Sequence, residues 1–417
     1  MNIFDFPQRY LLTSLGLWPY QSKFTQRIFF TCAIISFFSL FVAMVSLLAR
    51  PPRITHSTEF LRVAFKAAGL GEEWSTELVI IYETIVALFV ILGALAKCIV
   101  LFCKKHQVKS LYDQIRKDWQ ELTNEKEAAI LQSFMLKGKA QIIVYVVCTI
   151  PGYFIFVALT YVPIISSEDA SKDYTHTFPY YTDLLILSKR FRVYQVFIHA
   201  GFGIFCGGIT YVAFMAMYIT CVKHVCALYA IVRYRLENMV KSQDELMDKL
   251  NNDEEVIPGL LEIICTHKRA IKRVRLINRI FSRTFFMVEI CLLICLALLI
   301  FDVKYNQYNV RLVIRMLMIA VMFIVHVFCM NYCGEQVIQF STDVQYAAYF
   351  MEWYMISSKA QKILIMIICR SSNPDYLTAG NMALSLKNFA SIVRTSWSMA
   401  TVLLTTQKVN RPNYSIS

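Results

Sequence analysis

Charged residues are scarce in this sequence of 417 residues, since Asp, Glu, Lys and Arg make up only 17% of it. Soluble domains carry about 25%. Acidic residues are the scarcer kind, with 29 Asp and Glu against 42 Lys and Arg, and the net charge is +13. Hydrophobic residues reach 57%, above the roughly 45–50% of soluble domains. A soluble globular protein and a disordered chain are thereby excluded, and the apolar excess must face lipid.

Sequence signatures of catalysis and metal binding are also missing. The sequence contains no HExxH, GxSxG or P-loop motif, no Cys-x-x-Cys pair and no His/Cys cluster with the spacing of zinc ligands. Gly201 and Gly203 begin a dinucleotide-binding pattern that lacks its third glycine. Gly203 and Gly207 form instead a small face suited to close helix packing. An enzyme, a cofactor and a metal ion are therefore not expected.

The cysteines and the N-terminus carry no sign of a secreted protein. The 13 cysteines lie mostly inside apolar runs, so we expect free thiols. The N-terminal segment has no basic stretch leading into an apolar run with a small-residue cleavage site, which argues against a cleaved signal peptide. The first long apolar run is then expected to serve as both signal and anchor.

Seven segments are long and apolar enough to cross a bilayer, whose core of about 30 Å requires about 20 helical residues. They are residues 28–48, 79–102, 141–165, 193–222, 284–301, 312–333 and 385–406. The seventh is the most polar, and hydropathy alone would miss it. Residues 346–356 and 363–369 are apolar too, but each stretch is too short to cross.

The distribution of basic residues favours a cytosolic N-terminus. Lys/Arg densities on the two sides are nearly equal, but local clusters beside span ends, at 104–109 and 268–283, tip the balance. The long connecting segments also fall on that side. The fourth span is predicted to continue as a helix to residue 249, ahead of a turn formed by residues 251–255 with Pro258 and Gly259. The basic run 268–283 is interpreted as contacting anionic lipid or setting topology rather than binding nucleic acid.

Six charged residues fall within or near the predicted spans, where each is costly and hence a functional candidate. They are Glu83, Lys97, Glu289, Arg315, Lys387 and Arg394. Lys97, Arg315 and Lys387 lie within about two turns of a span end, so their side chains are expected to extend towards water. Glu289 and Arg394 are the stronger candidates.

The seventh span carries a polar stripe. With 100° per residue, several polar residues fall within about 60° of Val402 around the helix. They are Asn388, Ser391, Thr395, Ser398, Thr405 and Thr406, while Phe389, Val393, Trp397, Ala400 and Leu404 face the other way. Such a stripe suits a pore with an apolar constriction at Val402. It also suits a buried helix whose hydroxyls bond backbone carbonyls, and both interpretations stay open.

Residues 385–404, SLKNFASIVRTSWSMATVLL, resemble the C-terminal signature of insect odorant receptors. Residues 334–338, 347–349 and 353–354 resemble the segment that follows the sixth span in that family. Length, seven spans and a long fourth helix also agree, so the resemblance covers essentially the whole chain. The co-receptor's long insertion between spans four and five is missing, which indicates similarity to a tuning subunit. Trp397 stands where tuning receptors usually carry Tyr.

The resemblance implies an all-α membrane protein with seven transmembrane helices, a cytosolic helical anchor region and the N-terminus inside. It implies an odorant-gated, non-selective cation channel subunit that assembles with odorant co-receptor subunits into a heterotetramer in the plasma membrane of an olfactory sensory neuron. The seventh helices would line one pore, with Ser398 on the pore face, a gate at Val402, and Thr405 and Thr406 at the mouth. The implied parts are a six-span membrane domain (1–333), a cytosolic anchor (334–384) and the pore helix with an external C-terminus (385–417).

The family's ligand site lies among the outer halves of spans two, three, four and six. Carried onto this sequence, the site comprises Tyr82, Ile85, Thr149, Gly152, Tyr153, Phe156, Phe197, His199, Phe202, Met318 and Met322. Aromatic and Met-rich walls suit small, volatile, apolar ligands. Thr149 or His199 is expected to supply one orienting hydrogen bond, and the loop 166–189 to cover the pocket.

Two other classes remain open on the residues alone. A G-protein-coupled receptor would have its N-terminus outside and usually a disulfide at the outer end of its third helix, which this chain is poorly equipped to form. A transporter would show a pair of broken spans at matching positions, and none is apparent.

Overall fold

The structure is a computed structural model that describes residues 7–49, 76–165, 189–239, 253–305 and 310–409. Almost all of these residues are helical, as the apolar runs predict. Most of the predicted lid, residues 166–188, and the sequon at Asn413 lie outside the described residues.

Ten α-helices and one small hairpin follow one another in the described residues. The helices are α1 (Pro7–Ser14), α2 (Lys23–Ala49), α3 (Thr76–Cys103), α4 (Lys105–Glu121), α5 (Glu125–Ile165), α6 (Lys189–Asn238), α7 (Asp253–Tyr305), α8 (Val310–Phe350), α9 (Ser358–Ser371) and α10 (Leu386–Val409). The strands β1 (Thr378–Ala379) and β2 (Met382–Ala383) pair antiparallel between α9 and α10.

Each predicted span lies within one helix, namely α2, α3, α5, α6, α7, α8 and α10 in order. The first six are long and apolar enough to cross a membrane. As expected, α10 is too polar to be found by hydropathy. The protein is therefore an all-α membrane protein of seven transmembrane helices.

Four of the helices are much longer than a bilayer requires. The helices α5, α6, α7 and α8 have 41, 50, 53 and 41 residues, and 53 residues extend for about 80 Å. Their extra turns form a helical bundle at one end of the membrane domain, together with α4 and α9. The helix α8 runs without a break across residue 333, so the predicted division there separates two parts of one helix.

The predicted turn at Pro258 and Gly259 is wrong. The helix α7 already begins at Asp253 and contains Pro258 in its second turn. The missing N–H of a proline so close to a helix start removes one backbone hydrogen bond, and the apolar face of α7 outweighs that loss. The predicted extension of the fourth helix reaches Asn238, and residues 240–252 lie outside the described residues.

The helix α6 is the centre of the bundle, because residues 212–229 are buried on every side. Aromatic rings fill the space between α6 and α7, with Tyr218 and Phe285 at 4.7 Å and Phe214 and Phe281 at 5.1 Å between ring centroids. Such edge-to-face pairs are worth about 0.5–1.5 kcal/mol beyond their burial. The long helices are therefore fixed to a common central element.

The predicted small face of α6 is confirmed at Gly203. A Cβ placed there would overlap Leu40 Cδ1 and lie 3.1 Å from Leu40 Cγ. Gly203 thus allows α2 and α6 to approach as closely as small residues permit. In contrast, a Cβ on Gly201 would meet nothing within 4 Å.

Buried ion pairs hold the extramembrane bundle together. Asp118 of α4 is 4% exposed and accepts a 2.7 Å hydrogen bond from Arg273 of α7, while His224 Nε2 of α6 lies 3.2 Å from the same carboxylate. Burial alone would raise the pKa of Asp118, but His224 and the charges of Arg273 and Arg269 hold that pKa below its usual value. The ionised carboxylate therefore joins three helices.

The thiol prediction is confirmed, because all 13 cysteines are free. Many of them are buried in the helical core, such as Cys98, Cys221 and Cys333. They act there as small apolar packing residues.

Candidate functional site

The polar stripe of α10 lies on the surface of the subunit. Ser391, Thr395, Ser398, Val402 and Thr405 are all exposed, and Val402 is 62% exposed. Their spacing of four, three, four and three residues places them on one side of the helix. The stripe therefore points away from the chain's own bundle.

The opposite side of α10 is packed against the bundle. Ile392 is buried with Leu292 of α7 and Val327 of α8, and Ser396 and Ala400 are fully buried one and two turns further on. This packing leaves the outer side of α10 open to a neighbouring subunit or to water.

The hydroxyls of the stripe bond carbonyls of their own helix. Thr395 Oγ1 donates to Ser391 O at 2.8 Å, Ser398 Oγ to Arg394 O at 3.1 Å, and Thr405 Oγ1 to Thr401 O at 2.7 Å. That part of the buried-helix interpretation holds, although the side chains are exposed rather than buried. The hydroxyl oxygens keep free acceptor capacity towards whatever faces the stripe.

Two residues of α10 do not face as predicted. Asn388 was assigned to the stripe, but its amide donates inwards to Glu289 Oε1 at 3.0 Å and to Asn331 Oδ1 at 3.1 Å. Trp397 was assigned to the packed side, yet it is 61% exposed. Buried Glu289 attracts the amide inwards, and the packed side of α10 is lined at that level by Ser396 and Ala400 instead.

The start of α10 is held by several polar contacts. Ser385 caps the helix, since its Oγ accepts from Asn388 N at 3.1 Å, and its own N–H donates to Asn331 Oδ1 at 3.1 Å. Glu335 Oε2 accepts from Leu386 N at 3.0 Å. An N-cap is typically worth about 1 kcal/mol, and here the cap is also bonded to α8.

Glu289 joins three helices at this point. Its Oε1 accepts from Asn331 Nδ2 of α8 at 3.2 Å and from Asn388 Nδ2 of α10 at 3.0 Å. The residue is only 2% exposed. We call Glu289, Asn331 and Asn388 the polar latch. Glu289 was a candidate from sequence, but its partners lie far away along the chain and could not be named.

Backbone packing tightens the same joint. A Cβ on Gly334 of α8 would lie 2.5 Å from Leu384 Cβ and 2.8 Å from Leu384 C. The segment before Leu384 is the hairpin, in which Gly380 adopts a positive φ of 60° and donates its N–H to Ser282 O of α7 at 3.1 Å. The entry of the chain into α10 is thus fixed between α7 and α8.

The predicted ligand residues lie on α3, α5, α6 and α8, and the structure brings some of them together. A Cβ on Gly152 would lie 3.3 Å from Met322 Cγ, so α5 and α8 meet there, and a Cβ on Gly208 would lie 3.6 Å from Tyr153 Cε2. Thr149 is buried, and its hydroxyl donates to Tyr145 O at 2.8 Å. Thr149 can therefore offer a ligand an acceptor.

The other ligand candidates are less defined. Ile85, Phe156 and Met318 are partly buried, and Phe202 is 50% exposed. The side chains of Tyr82, Phe197 and His199, and that of the pore-mouth candidate Thr406, lie outside what the structure describes, although their backbones are helical.

A buried polar cluster that the sequence did not reveal lies next to this region. Lys97 Nζ is 3.2 Å from His326 Nε2 and 3.3 Å from the ring centroid of Tyr211, and Tyr145 Oη is 2.9 Å from His326 Nδ1. Tyr145 and His326 lie one helical turn from Thr149 and Met322 respectively. The cluster therefore borders the predicted pocket.

The expectation that Lys97 extends towards water is wrong, because it is fully buried. Inside the bundle, the Lys97 ammonium contacts the imidazole of His326 and the ring face of Tyr211. These contacts take the place of water. Arg315 is also buried, whereas Lys387 is exposed. The sequence signal that could have indicated this polar cluster was His326, a histidine inside an apolar span. Within the described ranges, no group of three His, Cys, Asp or Glu is placed to hold a metal ion.

Fold and site together define a polytopic helical membrane protein in which a polar helix is joined to the outside of an apolar bundle. The sequence profile of the 7tm Odorant receptor family matches residues 77–397, which is well over half of the chain. The chain belongs to the insect odorant receptor family, and it is a receptor rather than an enzyme.

Several curated relatives support this assignment. The chain is 26% identical over 159 residues to the putative odorant receptor 92a of Drosophila melanogaster, which covers 37% of this chain and 38% of the relative. It is 26% identical over 147 residues to odorant receptor 10 of Aedes albopictus, covering 34% and 38%. It is 22% identical over 209 residues to Drosophila melanogaster odorant receptor 67c, covering 50% of each. The matches thus span about a third to a half of these relatives.

A solved structure shares the fold. The insect olfactory receptor OR5 from Machilis hrabei superimposes with a TM-score of 0.72 at 12% identity, covering 96% of this chain and 97% of that chain. Its complex with eugenol gives a TM-score of 0.71 over the same shares. At this identity the likeness concerns the fold.

Proposed function

We propose that this chain is a tuning subunit of an odorant-gated, non-selective cation channel and works with the odorant co-receptor in the plasma membrane of an olfactory sensory neuron. The exposed stripe of α10 carries the proposal. Hydroxyls along several turns of a membrane-spanning helix, together with exposed Lys387 and Arg394, are unsuited to lipid contact. In a central pore shared with neighbouring subunits, the exposed side of α10 contacts both water and protein.

Val402 is the proposed apolar gate of this subunit. It is the aliphatic residue at the centre of the stripe, with Ser398 before it and Thr405 after it. A ring of aliphatic groups in a narrow pore excludes ions by dewetting, without a charge barrier.

The pore assignment is tested by cysteine substitution and a charged, water-soluble thiol reagent during odorant application. Ser398→Cys and Val402→Cys should become sensitive, whereas Ser396→Cys and Ala400→Cys, each two residues earlier and on the packed side, should not. The wild-type chain, with its own 13 cysteines, is the background. Equal sensitivity of both pairs would contradict the proposed pore face.

The ligand is proposed to bind between α5, α6 and α8, close to Gly152 and Met322. Their close approach supports this position, as do the Met and aromatic walls that suit small apolar molecules. The Machilis receptor was solved in complex with eugenol. Thr149→Val and His199→Phe should each reduce sensitivity about tenfold for ligands that need the lost hydrogen bond. Unchanged dose–response curves in both variants, at equal surface expression, would discard these two positions.

Assembly is proposed to use the extramembrane bundle. Tyr349, Phe350, Trp353, Tyr354 and Met366 expose between 48% and 77% of their surface at the end of α8 and around α9. Such a cluster of four exposed aromatic residues and a methionine is typical of a protein interface. This end of the bundle is proposed to be cytosolic with the N-terminus. An N-terminal epitope tag should be stained only after permeabilisation, and staining of intact cells would contradict the orientation.

A further inference from the structure

Basic residues of α2, α4 and α7, together with Lys104 between α3 and α4, converge at one level of the membrane domain. Arg27 of α2 precedes lipid-exposed Ile28 and Phe29, Lys104 follows exposed Phe102 at the end of α3, and Arg283 of α7 lies one turn before exposed Phe286. The switch from exposed apolar to basic side chains marks one edge of the bilayer core. We call the basic residues here the basic collar. They are Lys23, Arg27, Lys104, Lys105, Lys109, Arg279 and Arg283.

Direct contacts join these helices. Phe30 of α2 stacks on Phe102 of α3 with ring centroids 4.0 Å apart. Lys105 Nζ donates to Gln26 Oε1 of α2, and Lys104 Nζ donates to Arg279 O and, at 3.3 Å, to Ile280 O of α7. The collar is therefore a fixed arrangement across α2, α7 and the junction of α3 with α4.

In the part of the chain that the structure describes, the acidic residue next to the collar in sequence is Asp113, one turn after Lys109 on α4. Residues 23–30, 99–109 and 275–288 contain no Asp or Glu. In the described part of the chain, the carboxylates of α4 are occupied elsewhere, with Asp113 accepting from Tyr20 and Glu121 pairing with Arg269. Burial and the nearby charges of Arg283 and Arg279 lower the pKa of Lys104. Burial and the charges of Lys23 and Lys109 lower that of Lys105.

The spacing on α7 favours a ligand with several negative charges. Arg279 and Arg283 are exposed and four residues apart, so they are neighbours on one helix face and repel each other. Guanidinium groups bind phosphate oxygens in pairs. A topology signal requires only charge near a span end, whereas here the ammonium of Lys104 is bonded to the backbone of α7 at Arg279 and lies within the field of Arg279 and Arg283.

We propose that the basic collar binds the headgroup of a membrane phospholipid that carries phosphomonoester groups, the phosphoinositide class. Arg279 and Arg283 hold the phosphates, and Lys104 and Lys105 add positive charge beside them. The exposed apolar residues at the same level, Phe102 and Phe286, contact the acyl chains. This site is separate from the pore and from the odorant pocket.

The test uses the full-length protein in nanodiscs and native mass spectrometry of bound lipid. Phosphatidylinositol 4,5-bisphosphate should bind, and phosphatidylserine at matched total charge should bind much more weakly. Arg279→Gln with Arg283→Gln should weaken binding about tenfold or more. Lys268→Gln with Lys272→Gln is the control, because it removes the same charge from exposed positions about two and three turns before Arg279 on α7, and it should leave binding unchanged.

Three results would overturn the site. They are equal loss in both double variants, equal binding of phosphatidylserine, and equal binding of soluble inositol trisphosphate, which would indicate a free phosphate ligand. If the Gln pair does not yield folded protein, Arg279→Lys with Arg283→Lys serves instead. That pair keeps the charge but loses paired phosphate binding, so it should bind more weakly than the wild type, and unchanged affinity would contradict the proposal.

Discussion

Gly334→Ala tests how tightly the start of α10 is built into the fold. In an ordinary helix interior this substitution stabilises by about 1 kcal/mol, because alanine loses less backbone entropy. Here the new Cβ would lie 2.5 Å from Leu384 Cβ and 2.8 Å from Leu384 C. Carbon atoms prefer about 3.5–4.0 Å, so Leu384 or α8 must retreat by about 1 Å.

Neither Leu384 nor α8 can move away from this contact easily. Leu384 is fully buried, its N–H donates to Leu377 O at 2.8 Å across the hairpin, and the next residue, Ser385, is bonded to Asn331 of α8. Overpacking of this kind costs about 1–3 kcal/mol. The expected net effect is a loss of about 1–2 kcal/mol, which opposes the usual gain from alanine.

The assay is the apparent melting temperature of the purified receptor in detergent, together with surface expression and odorant-evoked current in cells that also express the co-receptor. Gly334→Ala should melt a few degrees lower than the wild type. Gly201→Ala is the matched control, since its Cβ meets nothing within 4 Å, and it should melt at the same or a higher temperature. If Gly334→Ala melted at or above the temperature of Gly201→Ala, the close contact with Leu384 would be refuted.

The gate, the polar latch and the buried carboxylate of α4 are tested with single or paired substitutions. Val402→Ser should raise the current without ligand by lowering the dewetting barrier, and an equal rise from Val393→Ser, on the packed side, would contradict this. Asn388→Asp should destabilise the protein by placing a second carboxylate against Glu289, and adding Glu289→Gln should recover about 1 kcal/mol or more; additive losses would exclude the latch. Because the pKa of Asp118 is lowered in the folded state, its stabilisation should be present at neutral pH and disappear as pH falls below about 4. The melting temperature of Asp118→Asn should therefore lie below that of wild type at pH 7 and approach it in acid, and a constant difference would contradict the ion pair.

The membrane helices could be predicted from the sequence because each needs only a long apolar run. The extensions of these helices beyond the apolar runs were harder to predict. The helix α5 begins at Glu125, 16 residues before the apolar run starts, because its first turns are amphipathic. Leu131, Phe134 and Met135 are buried there at the three- and four-residue spacing of a helix that packs on one side only. The signal was present, but it is a periodicity rather than a hydropathy peak.

The candidate site, too, could be predicted from the sequence only in part. The stripe from Ser391 to Thr405 was found because the angles around a helix depend only on the order of residues along it. The inward turn of Asn388 was missed because Glu289 lies 99 residues away. Lys97 was misjudged for the same reason, since His326 lies 229 residues away. Local geometry can be worked out from one sequence, whereas the partner of a buried polar group depends on packing between distant segments.

In the proposed mechanism, α8 is the element that connects the ligand site to the pore helix. Met322 borders the predicted pocket, and Gly334 packs against the start of α10 on the same unbroken helix. These two positions are 12 residues apart, or about 18 Å along the axis. A continuous helix in a close-packed interior carries a displacement at one end to the other without an intervening loop. Val402 then lies about 21 Å along α10 from Asn388, so this mechanism links the ligand site to the proposed gate through two rigid helices and the joint formed by the polar latch and Gly334.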